Sequence, residues 1–203
     1  MTPRTKKLSI AGPAGVLEAA LDEPEGTTAR GVAVLCHPHP LHGGTMDHKV
    51  VQTMARACVA LGLRAVRFNY RGVGGSAGEW GGGTGEVDDA LAVIAAQRDA
   101  ASPLVLGGFS FGGYVAASAA TRLALPPAAL VLVAPAVQTF PVGPVPSATL
   151  VIHGEADDVV PLAAVLDWAR PQHLPVVVLP GVGHFFHGQL PRLKDLVMRG
   201  ALR

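Results

Sequence analysis

Cysteine is nearly absent: of 203 residues only Cys36 and Cys58 are cysteines, both within apolar segments. That excludes a disulfide framework and fits a reducing, cytoplasmic setting. Charge is scarce as well, with Asp, Glu, Lys and Arg at 15% of residues and a net charge of +1. Such a chain carries no electrostatic footprint for nucleic acid or an anionic membrane. A signal peptide is not expected, because Glu18 and Asp22 arrive before any uninterrupted apolar core forms after Lys6 and Lys7. Two long stretches, Ala100 to Thr121 and Leu123 to Gly154, contain no Asp, Glu, Lys or Arg. The first is broken by Gly107, Gly108, Gly112 and Gly113, and the second by prolines from Pro126 to Pro146. Neither could stay one apolar helix in lipid. Disorder is excluded too, since 49% of the residues are hydrophobic.

What is present is a run of short Val/Leu-rich segments punctuated by glycine and proline, the pattern of buried parallel strands. Lys7 to Ile10 and Val16 to Leu21 flank Ala11-Gly12-Pro13-Ala14-Gly15 and read as a hairpin. Strands follow at Gly31 to Cys36, Ala65 to Phe68, Leu104 to Gly107, Ala129 to Val133, Thr149 to Ile152 and Val176 to Leu179. Helices are expected at His48 to Leu61, with Gly62 as its C-terminal stop, and at Glu86 to Arg98. Further helices are expected at Phe111 to Leu123, Leu162 to Arg170 and a last one ending near Arg199. Strands alternating with helices predict one α/β domain over residues 1–203, a mostly parallel, doubly wound sheet with an N-terminal antiparallel hairpin.

Gly-x-Ser-x-Gly occurs twice, as Gly108-Phe109-Ser110-Phe111-Gly112 and as Gly74-Gly75-Ser76-Ala77-Gly78. A nucleophile elbow needs a strand running into the serine and a helix opening just after it. Leu104 to Gly107 leads into Ser110 and Tyr114-Val115-Ala116-Ala117 continues it, whereas Ser76 is followed by Glu79-Trp80-Gly81-Gly82-Gly83, which cannot be helical. Ser110 is the nucleophile candidate and Ser76 a loop serine. Gly72, Gly74 and Ala77 also match a dinucleotide fingerprint, but no helix opens there and Asp88 and Asp89 come too early for its acid.

A serine nucleophile needs a base, and the base an orienting carboxylate. His184 follows the last strand in a flexible loop, while His173 precedes that strand and sits at the wrong end; His187 is a weaker rival. Asp157 and Asp158 both follow the Thr149 to Ile152 strand, and one of them could instead cap the helix after Pro161. His37, His39, His42 and His48 could be read as a metal cluster. No ligand beyond Asp47 completes a shell, so they read better as residues shaping a loop near the site, with no metal. Tyr70, Trp80, Phe140 and Phe185 lie on loops at C-terminal strand ends. They either line an acyl pocket or simply pack beneath the loops.

Five segments carry a resemblance: His37-Pro38-His39-Pro40-Leu41-His42-Gly43-Gly44, Phe68-Asn69-Tyr70-Arg71-Gly72-Val73-Gly74-Gly75-Ser76, Gly108 to Gly113, His153-Gly154-Glu155-Ala156-Asp157-Asp158-Val159-Val160-Pro161 and Gly183-His184-Phe185-Phe186. Over nearly its whole length the chain resembles the α/β-hydrolases, close to the small bacterial members grouped with dienelactone hydrolases. The order Ser110, Asp157, His184 matches that superfamily. The resemblance selects Asp157, three residues after the His-Gly pair, over Asp158. It implies an oxyanion hole from the backbone N–H of Phe111 and a donor after the Gly31 to Cys36 strand. Pro38 and Pro40 have no N–H to give, and aligning His37-Pro38 with the superfamily's His-Gly points to His39. Ser110 departs from dienelactone hydrolase, whose nucleophile is a cysteine, so the resemblance implies acyl transfer rather than that particular substrate.

The expectation is a cofactor-independent serine hydrolase acting on small-molecule esters, with no nucleic-acid or membrane partner. A thioesterase or small peptidase would share the machinery, and a non-catalytic binding protein could keep the fold. Between Val133 and Thr149 the chain is short and proline-rich, too short for a packed helical lid.

Overall fold

The computed structural model describes residues 4–99 and 101–201. The outermost residues of the expected 1–203 domain, and Ala100, lie outside the described residues. The eight strands are β1 (Arg4–Gly12), β2 (Gly15–Glu23), β3 (Val32–Cys36), β4 (Arg64–Phe68), β5 (Leu104–Phe109), β6 (Ala129–Val133), β7 (Leu150–Gly154) and β8 (Val176–Leu179). The helices are α1 (Lys49–Ala60), α2 (Thr84–Gln97), α3 (Phe111–Arg122), α4 (Leu162–Ala169) and α5 (Leu190–Gly200). One sheet runs in the order β1-β2-β4-β3-β5-β6-β7-β8. β1 pairs antiparallel with β2, and β2 antiparallel with β4. Every other pairing is parallel. This is the mostly parallel sheet with an N-terminal hairpin that the sequence predicts.

The central strands are buried along their whole length because helices cover both faces. Successive side chains alternate between two cores. Val34, Leu104 and Leu106 pack with Val87, Ile94 and Val115 from α2 and α3. Leu35, Val105 and Val133 pack with Met54, Cys58, Leu193 and Val197 from α1 and α5. Each such fully buried side chain contributes about 1.5–3 kcal/mol. Both cysteines are interior free thiols, their pKa values pushed up to about 12 by burial.

Element ends shift from the expected ones for local reasons. The hairpin is longer, its rim joined by Thr5 Oγ1 donating to Asp22 at 2.5 Å and by the Lys6–Glu23 ion pair. α2 opens at Thr84 rather than Glu86, because the Glu86 carboxylate reaches back to accept the N–H groups of Gly83 and Gly81 at 2.7 and 2.8 Å. β5 and β7 run on to Phe109 and Gly154, carrying their pairing up to the loops that hold Ser110 and Asp157. Gly62 adopts φ 78° just past α1, the left-handed helix stop expected of it. Residues 134–149 cross from β6 to β7 with no helix, and no lid forms there. No helix among the described residues is long and apolar enough to cross a membrane.

Candidate active site

Ser110 sits between β5 and α3 with φ 56° and ψ −119°, a strained conformation for a residue bearing a Cβ. Its N–H donates to Val133 O at 2.9 Å, and its carbonyl accepts from Gly113 and Ala136. The flanking glycines are required sterically. A Cβ on Gly108 would lie 1.9 Å from Gly112 O, and one on Gly112 would lie 2.1 Å from Cys36 O. The second Gly-x-Ser-x-Gly segment only ties loops together. Its Ser76 is buried, accepting the Glu18 N–H at 2.9 Å and donating to Asn69 O at 2.7 Å.

Asp157 and His184 come from the loops after β7 and β8. Gly154 makes their meeting possible, since a Cβ there would lie 2.2 Å from Val182 O in the loop that carries the histidine. His184 Nε2 is 3.1 Å from Ser110 Oγ, and its Nδ1 is 2.7 Å from Asp157 Oδ2. Asp157 Oδ1 accepts the N–H groups of Val159 and Val160 at 3.0 and 2.7 Å. Burial pushes this carboxyl's pKa up, but the hydrogen bonds from His184 and Val160 outweigh it and the pKa falls below the ordinary carboxylate value. Asp158 is exposed. His187 is exposed too and receives Lys49 Nζ at 2.8 Å, outside the Ser110–His184–Asp157 chain.

The loop after β3 is braced from below. His37 Nδ1 donates to Pro38 O at 2.7 Å, leaving Nε2 to accept the Tyr70 N–H at 3.3 Å. Burial drives the His37 pKa down to about 3, so the ring is neutral and this tautomer is the one the contacts require. The Tyr70 hydroxyl donates to His37 O at 3.1 Å. Of the two alternatives for Tyr70, the pocket-lining one is corrected: Tyr70 is fully buried and packs beneath the loop. Its polar tip has a better partner in the backbone beneath the loop than in solvent. The backbone N–H groups of His39 and Phe111 donate to no protein acceptor among the described residues.

The remaining aromatic candidates stand beside the serine's neighbours. Trp80 lies 4.8 Å from the His39 ring and 5.3 Å from Phe111. Phe140 lies 4.8 Å from Phe111. Phe185, 41% exposed, meets the His184 ring edge-on at 5.1 Å. Three neighbours were given no such role by the sequence: Tyr114 was read only as helix, His48 only as shaping a loop near the site, and His153 only as part of the His-Gly pair. Tyr114 stacks on Phe140 at 5.2 Å, and its place three residues after Phe111 on one helix was the available signal. His48 caps α1 and stacks on Phe109 at 5.0 Å. His153 lies beside Asp157, four residues ahead of it. A surface cavity of about 450 Å³, lined by Glu23, Arg64, Asp99 and Ser102, is at the opposite end of the strands. It holds none of these groups, so chemistry rather than concavity marks the site.

A family model described as "Serine aminopeptidase, S33" matches residues 28–149. A lidless α/β serine hydrolase from Xanthomonas campestris is 41% identical, with a TM-score of 0.88 over 97% of this chain and 93% of that one. The chain belongs to the α/β serine hydrolases. An α/β serine hydrolase homologue from Coxiella burnetii is also 41% identical, with a TM-score of 0.81 over 96% of each chain. An uncharacterised protein of Rickettsia prowazekii (strain Madrid E) is 40% identical over 109 residues, spanning 52% of this chain and 45% of that protein. The family match ends before Asp157 and His184, whereas the two structural relatives cover 97% and 96% of the chain.

Proposed function

We propose that this serine hydrolase cleaves small carboxylic esters through Ser110, His184 and Asp157, with residues 1–203 acting as a single domain. The observation that carries the reading is the unbroken hydrogen-bonded line from Ser110 Oγ through His184 to Asp157, at 3.1 and 2.7 Å, ending on a strained elbow. Ser110 Oγ attacks the ester carbonyl as His184 Nε2 takes its proton. Asp157 holds the Nδ1–H tautomer and stabilises the imidazolium that forms. The N–H groups of Phe111 and His39 receive the developing oxyanion. His184 then protonates the departing alcohol, leaving an acyl-enzyme. Water activated by the same imidazole releases the acid and restores Ser110. The chemistry calls for no cofactor. Trp80, Phe140 and Phe185 supply apolar contacts to the substrate.

Fluorophosphonate labelling combined with a chromogenic acetate ester tests this. Ser110→Ala should abolish labelling and cost several orders of magnitude in kcat. Full activity in that variant would remove Ser110 from the mechanism. A second reading, cleavage of amides, is favoured by the aminopeptidase description of the family model. The same machinery would serve it, and matched esters, thioesters and aminoacyl amides separate the readings by kcat/KM.

A further inference from the structure

His153 stands on β7 one residue before its end, with its side chain fully buried. Nε2 is 2.9 Å from Val160 O and 3.4 Å from Asp157 Oδ2. A carbonyl can only accept, so Nε2 carries the proton. Nδ1 is then a bare acceptor, with no protein hydrogen-bond partner among the described residues. Burial lowers the pKa of this ring, opposed by the Val160 carbonyl and Asp157 and assisted by His184. Asp157 and His184 are the charged or titratable groups that act on it. An orphaned buried nitrogen is destabilising, and an apolar side chain of similar size would avoid it. What distinguishes an imidazole from an apolar side chain here is its polar contact through Nε2.

What the imidazole adds is one N–H directed at the turn that carries the acid. Val160 donates its N–H to Asp157 Oδ1 at 2.7 Å while its carbonyl is held by His153 at 2.9 Å. The turn is gripped from both sides of one residue. We propose that His153 is a positioning residue whose Nε2–H pins the Val160 carbonyl and backs Asp157 Oδ2, fixing the carboxylate where it receives His184. The proposal rests on the Ser110–His184–Asp157 reading above. His153 touches neither Ser110 nor substrate and acts only through Asp157.

The test compares His153→Leu and His153→Gln, each alone and combined with Asp157→Ala, in the full chain with a chromogenic acetate ester. His153→Leu should lower kcat about 10- to 100-fold with KM nearly unchanged, the size of effect that misplacing a catalytic group produces. His153→Gln should recover most of that loss, because its amide N–H can still reach Val160 O. With Asp157 already removed, His153→Leu should cost nothing more. Wild-type kcat in His153→Leu overturns the proposal. So does an equal loss with and without Asp157, which would make His153 a packing residue. If neither His153→Leu nor the more flexible His153→Met folds, the proposal also fails. Ser110→Ala run alongside separates the two levels: activity surviving there sinks the triad reading itself, whereas a dead Ser110→Ala beside an unaffected His153→Leu sinks only the role of His153.

Discussion

Asp157 and Asp158 are adjacent in the chain and opposite in surroundings. Asp157 is buried, with Oδ2 2.7 Å from His184 Nδ1 and Oδ1 gripped by two backbone N–H groups, while Asp158 faces solvent. Asn at position 157 would keep the shape but remove the charge and favour the wrong imidazole tautomer. Asp157→Asn should therefore lower kcat by about three to four orders of magnitude, and Asp158→Asn by less than about twofold. Steady-state kinetics of the two variants check the ranking, and the reverse order would reassign the acid.

Gly108 and Gly143 differ in what surrounds them. A Cβ on Gly108 would strike the Gly112 carbonyl at 1.9 Å, whereas one on Gly143 would meet nothing within 4 Å. The clash is with backbone, which has no rotamer to escape into. Gly108→Ala should cost at least about 3 kcal/mol or fail to fold, while Gly143→Ala should stay within about 0.5 kcal/mol of wild type. Urea denaturation of both variants measures the contrast.

Arg67 on β4 pairs with Asp22 on β2 at 3.0 Å, both side chains almost wholly buried, and also holds Asp47 and the Met46 carbonyl ahead of α1. Removing the arginine alone strands a buried carboxylate. Arg67→Met should destabilise by about 3–5 kcal/mol. Pairing it with Asp22→Leu should restore much of that, and chemical melts that add independently would contradict the coupling.

His37 and His48 predict acid sensitivity. Burial lowers their pKa values to about 3 and about 4, with Lys49, His184 and His187 adding to the shift at His48. Unfolded histidine titrates near 6.5, so between that pH and the folded values the unfolded chain binds more protons. Their contribution to stability is complete above about pH 6.5 and falls with pH by up to about 1.4 kcal/mol per unit for each group. The slope is smaller at half-buried His48, where water screens the charge. Thermal melts from pH 7 to 4 should show the decline. His48→Asn, which keeps a side-chain cap for α1, should make the decline shallower and leave the His37 part.

The crossing from β6 to β7 holds no helix to cover Ser110. Hydrolysis of a dispersed short-chain ester should start without a lag and should not accelerate when the ester forms an interface. Strong interfacial activation would mean that some other element opens over the serine.

Much of this molecule was legible in short windows of sequence. The alternation of Val/Leu runs with amphipathic segments determined the strand and helix order. The glycines around Ser110 marked a place where two backbones pass too closely for a Cβ, and the strand before and helix after distinguished Ser110 from Ser76. Both signals depend on interactions within a few residues. The residues alone left Asp157 and Asp158 open and only the resemblance selected Asp157; the physical reason is which carboxylate the His184 loop meets once Val182 packs over Gly154. Tyr70 looked like a loop aromatic until the His37 carbonyl gave its hydroxyl an interior partner. The Arg67–Asp22 pair carries no motif of its own, and His153 marked the position of the acid without showing what its own ring holds. Charge, spacing and periodicity determined the fold, the nucleophile candidate and the set of candidate partners. Only the tertiary structure decided which partners touch, because long-range packing and sheet register bring distant side chains within hydrogen-bond reach.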